Sequence, residues 1–142
     1  MIKRVLILLM GITAFWVSGA FAEDLDVELS CPTSVYAGSV LRVTAYVSND
    51  GDSAVTLNRY AAGMVGTNTN NVLSSSRVFG PYARTMNPRT IPATGQTVKI
   101  SSLSIVNSVS ADFKGKMAMV VVDFVNARGN SLGGGTCLVN VP

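Results

Sequence analysis

The chain has 142 residues, with eleven lysines and arginines against eight aspartates and glutamates, and no histidine at all. The missing histidines exclude Ser-His-Asp and Cys-His nucleophile systems and every histidine-bearing metal site. The formal charge of +3 includes Lys3 and Arg4 at the extreme N-terminus; without them nine basic side chains face eight acidic ones, which leaves no electrostatic footprint for nucleic acid or an acidic membrane surface.

The first 22 residues read as a secretory signal peptide. "MIKR" is the positive start, Val5 to Val17 is almost continuously apolar, and "SGAFA" ends in a small-x-small pattern that predicts cleavage after Ala22. The apolar run falls short of the roughly 20 residues a membrane span requires. No lipobox precedes Cys31, so a lipid anchor is not expected. The remaining residues, 23–142, fit one domain without a membrane span, exported to the periplasm or the cell exterior.

From there period-two alternation dominates and no helical period competes with it. Leu25, Val27, Leu29 and Cys31 share one parity, with Asp24, Asp26, Glu28 and Ser30 on the other: a strand with one wet face. "VLRVTAYVS" repeats the pattern, with Leu41, Val43, Ala45 and Val47 inward. "SNDGDS" supplies the turn residues that tolerate positive φ, and "AVTLNRYAA" is the returning strand. "GMVGTNTNN" reads as an exposed loop and "VLSSSRVFG" as a weaker strand.

"GPYARTMNPRTIPATGQ" holds three prolines, which rules out a central strand and predicts a connection. "TVKISSLSIV" slips phase between Val98 and Ile100 on one parity and Leu103 and Ile105 on the other; a bulge at Ser101-Ser102 would restore a single inward face. "KMAMVVVDFV" is apolar on both parities, as in a strand packed on both sides. "NARGNSLGGG" reads as a glycine-rich turn, and "TCLVNV" closes the chain with Cys137, Val139 and Val141 on one parity.

Export implies an oxidising compartment, and two cysteines permit one intramolecular pairing, Cys31 with Cys137. Two free thiols or an intermolecular bridge are the competing readings. Both cysteines fall on the inward parity of the first and last strands, so the pair would tie the chain ends together.

Seven short strands with turns at these intervals predict an all-β, immunoglobulin-like antiparallel β-sandwich closed by one disulfide. "VYAGSVLRVTAYVSNDGDSAVTL" resembles the opening of bacterial Ig-like domains of the CARDB kind, and "TIPATGQTVKISSLSI" is similar to the proline-glycine lead into one of their later strands. The resemblance covers about 40 residues and implies an adhesive, spacer or binding module. Antibody-type domains differ, because the only tryptophan here, Trp16, lies in the signal segment.

Chemistry is sparse. No serine stands three residues before a lysine, and the carboxylates lie mostly in the first strand and in turns. Asn49, Asp50 and Asp52 could offer oxygens to calcium, but Tyr60 stands where an EF-hand loop needs its last carboxylate, so no metal is expected. "IPATG" sits mid-chain, away from the C-terminal place of a sortase signal. Asp123 interrupts an apolar row and requires either solvent or a basic or hydroxyl partner. Gly133 to Gly135 lack the helix and lysine of a phosphate loop.

The remaining concentration of contact chemistry is Arg77, Tyr82, Arg84 and Arg89, where arginine and tyrosine bring planar, hydrogen-bonding anchors to a proline-stiffened segment. The expected function is therefore an exported, non-catalytic binding or structural module without cofactor. Its partner would be an unidentified protein or cell-surface component, met through those four residues. The alternative is a surface-fibre subunit assembling through edge strands.

Overall fold

The computed structural model describes residues 25–67 and 73–142, without the side chains of residues 73–77. The signal-peptide expectation for residues 1–22 lies outside the described residues.

Seven strands form two antiparallel sheets packed face to face. They are β1 (Leu25–Ser30), β2 (Leu41–Asn49), β3 (Val55–Thr67), β4 (Leu73–Ile91), β5 (Val98–Val106), β6 (Lys116–Val125) and β7 (Ser131–Val141). The smaller sheet runs β1-β2-β5 and the larger β4-β3-β6-β7. A 3-10 turn, Ala111–Phe113, precedes β6, with the Ser110 side chain accepting from the Asp112 amide.

The alternation has its expected consequence in β2, where Leu41, Val43, Ala45 and Val47 are all buried while Arg42 and Tyr46 face outward. Leu25 and Val27 from β1, Leu57, Tyr60, Ala62 and Met64 from β3, and Ala118, Val120, Val122 and Phe124 from β6 complete the shared core. Both parities of β6 are buried, Met119 and Val121 included, as its uninterrupted hydrophobicity requires. In β5 the phase slip is a bulge: Val43 faces Leu103 and Ala45 faces Ile100, so Ser101 and Ser102 stand against Thr44 alone. Ile100, Leu103 and Ile105 thereby all reach the core.

Three expectations need correction. "GMVGT" is the buried end of β3 rather than loop, anchored by the Thr67 hydroxyl donating to Met117 O at 2.8 Å. The proline-bearing segment is a strand as far as Ile91, the 19-residue β4, and only residues 92–97 connect it to β5. Its prolines are compatible with a strand because β4 is an edge and pairs with β3 alone. Pro81 falls where Gly80 and Pro81 oppose Gly63, and Pro88 where Met86, Asn87 and Pro88 oppose Asn58. The Gly80–Pro81 bond is cis.

The third correction concerns Gly133, Gly134 and Gly135, which belong to β7 rather than to a turn; the turn is residues 126–130, where Asn126 Oδ1 accepts from the Arg128 and Asn130 amides. Here β1 of one sheet lies directly against β7 of the other. A Cβ on Gly133 would stand 2.9 Å from Leu25 Cβ, and one on Gly135 2.8 Å from Val27 O. Only glycine permits that approach. One side of the sandwich is thus shut by β1 against β7, and Cys31 and Cys137 are bridged there with Cα atoms 5.7 Å apart. Both cysteines are half-buried against the core.

Candidate functional site

The opposite side of the sandwich, between the edges of β4 and β5, is held differently. Tyr60 and Arg84, direct neighbours across β3 and β4, both reach over to β5. The Tyr60 hydroxyl donates to Ser104 O at 2.7 Å and Arg84 Nη2 donates to Ile105 O at 3.0 Å. Burial pushes the Tyr60 hydroxyl pKa up, while the Arg84 charge and the bond to Ser104 pull it part of the way back. Arg84 Nε is buried with no hydrogen-bond partner among the described residues.

Beyond this tie the two strands part. The resulting cleft has a volume of about 490 Å³, with Met86, Ile100, Leu103 and Tyr60 among its apolar lining and Ser101, Ser102 and Arg89 among its polar lining. Its walls are the two bulges: residues 86–88 on β4 and Ser101-Ser102 on β5. Ser102 has φ 60°, the single non-glycine positive φ among the described residues.

The four residues expected to meet a partner all lie on β4, but they do not form one patch. At a strand rise of about 3.3 Å per residue, Arg77 and Arg89 stand up to about 40 Å apart. Arg77 is placed on the strand, and its side chain lies outside the described residues. Tyr82 is exposed and packs edge-on against Phe79, with ring centroids 4.8 Å apart and planes at 64°. Arg84 is committed to the tie across the sandwich. Arg89 is exposed and lines the cleft.

Tyr60 and the Ser101-Ser102 bulge were not among the expected site residues. The phase slip announced the bulge, but nothing in the sequence says that it would face the proline-bearing bulge of β4.

The other candidates have structural duties. Asn49 is buried; its Nδ2 donates to Ser53 O at 2.8 Å and Ile91 O at 3.1 Å, and its Oδ1 accepts from the Gly51 amide. It clamps the β2–β3 turn to the end of β4. Asp123 has the hydroxyl partner its surroundings require: Ser131 Oγ donates to its Oδ1 at 2.5 Å and accepts from the Gly133 amide. Among the described residues no group of three His, Cys, Asp or Glu side chains is placed to hold a metal ion, and no helix is long and apolar enough to cross a membrane.

No protein-family model matches the chain, and no curated protein matches it in sequence. Among solved structures it is similar to the sporulation control protein Spo0M from Bacillus subtilis, at 12% identity and a TM-score of 0.52 over 83% of this chain. The chain spans about half of Spo0M, 49% of its length. A second similarity, to the alkylpurine DNA glycosylase AlkC from Pseudomonas fluorescens bound to DNA containing an abasic site analogue, has 12% identity and a TM-score of 0.44; it covers 97% of this chain and 36% of that one. At this identity the likeness to Spo0M speaks for a shared fold alone, and the likeness to AlkC carries no argument.

Proposed function

We propose that this chain is an exported, non-catalytic binding module whose contact surface runs along β4. The observation that carries the reading is Tyr82, exposed on an edge strand and braced edge-on against the half-buried Phe79. Large aromatic side chains held in a fixed mutual geometry lose little freedom on binding and offer broad contact area. Export is supported by the Cys31–Cys137 bridge, since such bonds persist in oxidising compartments, and by the signal-peptide pattern of residues 1–22. The absence of catalysis is supported by the employment of Asn49, Tyr60, Asp123 and Ser131 in holding strands together. An immunoglobulin-like topology related to CARDB-type domains remains the proposed kinship.

The fibre alternative is weaker. Pro81 and Pro88 remove donors from the β4 edge, the Ser101-Ser102 bulge breaks the β5 edge, and β1 and β7 face each other. The test is capture of partners from the producing cell by the protein expressed from its full chain, compared with its Phe79→Ser, Tyr82→Ser variant. Retention of the same partners at unchanged affinity by the folded variant would remove β4 as the contact surface. Partner-free polymers of the purified protein would favour the fibre.

A further inference from the structure

We propose that the cleft between β4 and β5 is a receptor for a short extended peptide, carrying a carboxylate beside apolar side chains, with the carboxylate bound by Arg89. The proposal rests on the binding-module reading and gives that module a ligand class.

Three independent features converge on this place. The first is how the cleft is opened. Three residues of β4 oppose one of β3, and two residues of β5 oppose one of β2, at the same level of the sandwich. Bulged residues lose ladder partners, so both walls carry backbone groups free to pair with a third chain. The bulge residues Asn87, Pro88, Ser101 and Ser102 are exposed. The bulges break the regular ladder that a long added strand would need, so the cleft between them suits a segment of only a few residues.

The second feature is strain in the same wall. A serine at φ 60° lies in the left-handed region that β-carbon-bearing residues rarely adopt, at a cost of order 1 kcal/mol or more. Glycine would remove that cost. Serine keeps a hydroxyl at the mouth of the cleft.

The third is the chemistry of the lining. Met86, Ile100 and Leu103 give it an apolar part, Ser101, Ser102 and Ser104 a hydroxyl-bearing one, and no carboxylate lines it. Arg89 is its charged residue, is exposed, and has no ion pair among the described residues. An anionic ligand is the complement, and a planar carboxylate matches the guanidinium fork. About 490 Å³ lies within the range of clefts that enclose small ligands. The walls are strand edges, so the shape that follows them is an extended backbone with side chains entering alternately.

The experiment uses ¹⁵N-labelled protein expressed from the full 142-residue chain. It is titrated with a pool of hexapeptides of alternating apolar and polar residues, each carrying one glutamate, and separately with the same pool carrying glutamine instead. The expected result is amide shifts confined to residues 85–89 and 100–104, with the acidic pool binding at least tenfold more tightly. Arg89→Gln should abolish the preference between pools, and Ser101→Trp, which fills the cleft from an exposed position, should abolish binding of both. Equal binding of the two pools, or no shifts in those segments with the acidic pool, overturns the proposal. Shifts centred on Phe79 and Tyr82 would also overturn it, while leaving the β4 contact surface intact.

Discussion

At the scale of single residues, two arginines that look alike in sequence have separate roles. Arg84 and Arg89 are five positions apart, yet one is spent on holding β5 and the other is free at the cleft. Arg84→Ala removes a charged donor from Ile105 O and should cost about 1.5–3 kcal/mol. Arg89→Ala, at an exposed position, should stay within about 0.5 kcal/mol. Urea unfolding of the two variants side by side separates the roles; equal stabilities would refute the assignment. Tyr60 adds a pH signature. Its pKa lies above the ordinary value of 10.0 in the fold, so the unfolded chain surrenders this proton first as pH rises. Its stabilising contribution is complete below pH 10 and is lost as pH climbs from there through the folded pKa. Tyr60→Phe should cost about 1 kcal/mol near neutral pH through the lost bond to Ser104 O. The variant should also lose part of the alkaline decline, which urea midpoints between pH 8 and pH 11 would reveal.

At the scale of elements, glycine and proline were the two residue types whose meaning the sequence left open. Alternation made β1, β2 and β5 legible, including the bulge at Ser101-Ser102, because each side chain's burial there follows from its own parity. Pro81 and Pro88 signalled an interruption, and in isolation an interruption reads as a connection. What makes β4 a strand is its partner β3 on one side and nothing on the other, a fact of sheet order that no local pattern encodes. Gly133 and Gly135 were misread for a similar reason: their function is to admit β1, which lies about 100 residues earlier in the chain. Of the candidate site, Tyr82 and Arg89 were legible as contact chemistry. The cleft was not, since it exists only where two bulges from different sheets face each other. The glycine account has a direct test. Gly135→Ala would press a methyl group onto Val27 O and should destabilise by about 1–3 kcal/mol, as overpacking does, whereas Gly129→Ala, strained but with open space around its Cβ, should cost less. Equal thermal shifts in the two variants would contradict the close approach of β1 and β7.

At the scale of the whole molecule, the two sides of the sandwich divide the work of closing and opening. One side is sealed by glycines and a covalent bridge. The other is tied at one end by Tyr60 and Arg84 and left parted at the cleft. The bridge spans 106 positions, a closure worth about 4–5 kcal/mol in the loop-entropy description. Cys137→Ala should therefore lower the melting temperature markedly while retaining a β-rich circular dichroism spectrum, and mass spectrometry of the unreduced wild-type protein should find no free thiol. The position of that bridge also decides how the protein behaves under tension. A pull applied between Leu25 and Pro142 enters β1 and β7, crosses at Cys31–Cys137, and bypasses every strand between them. Oxidised, the domain can lengthen only by its short tails and transmits force as a near-inextensible link. Reduced, the same chain could yield about 350–380 Å of slack, at about 3.3–3.6 Å for each of the 106 positions released. A single sulfur–sulfur bond thus sets whether the protein acts as a rigid coupling or an extensible tether.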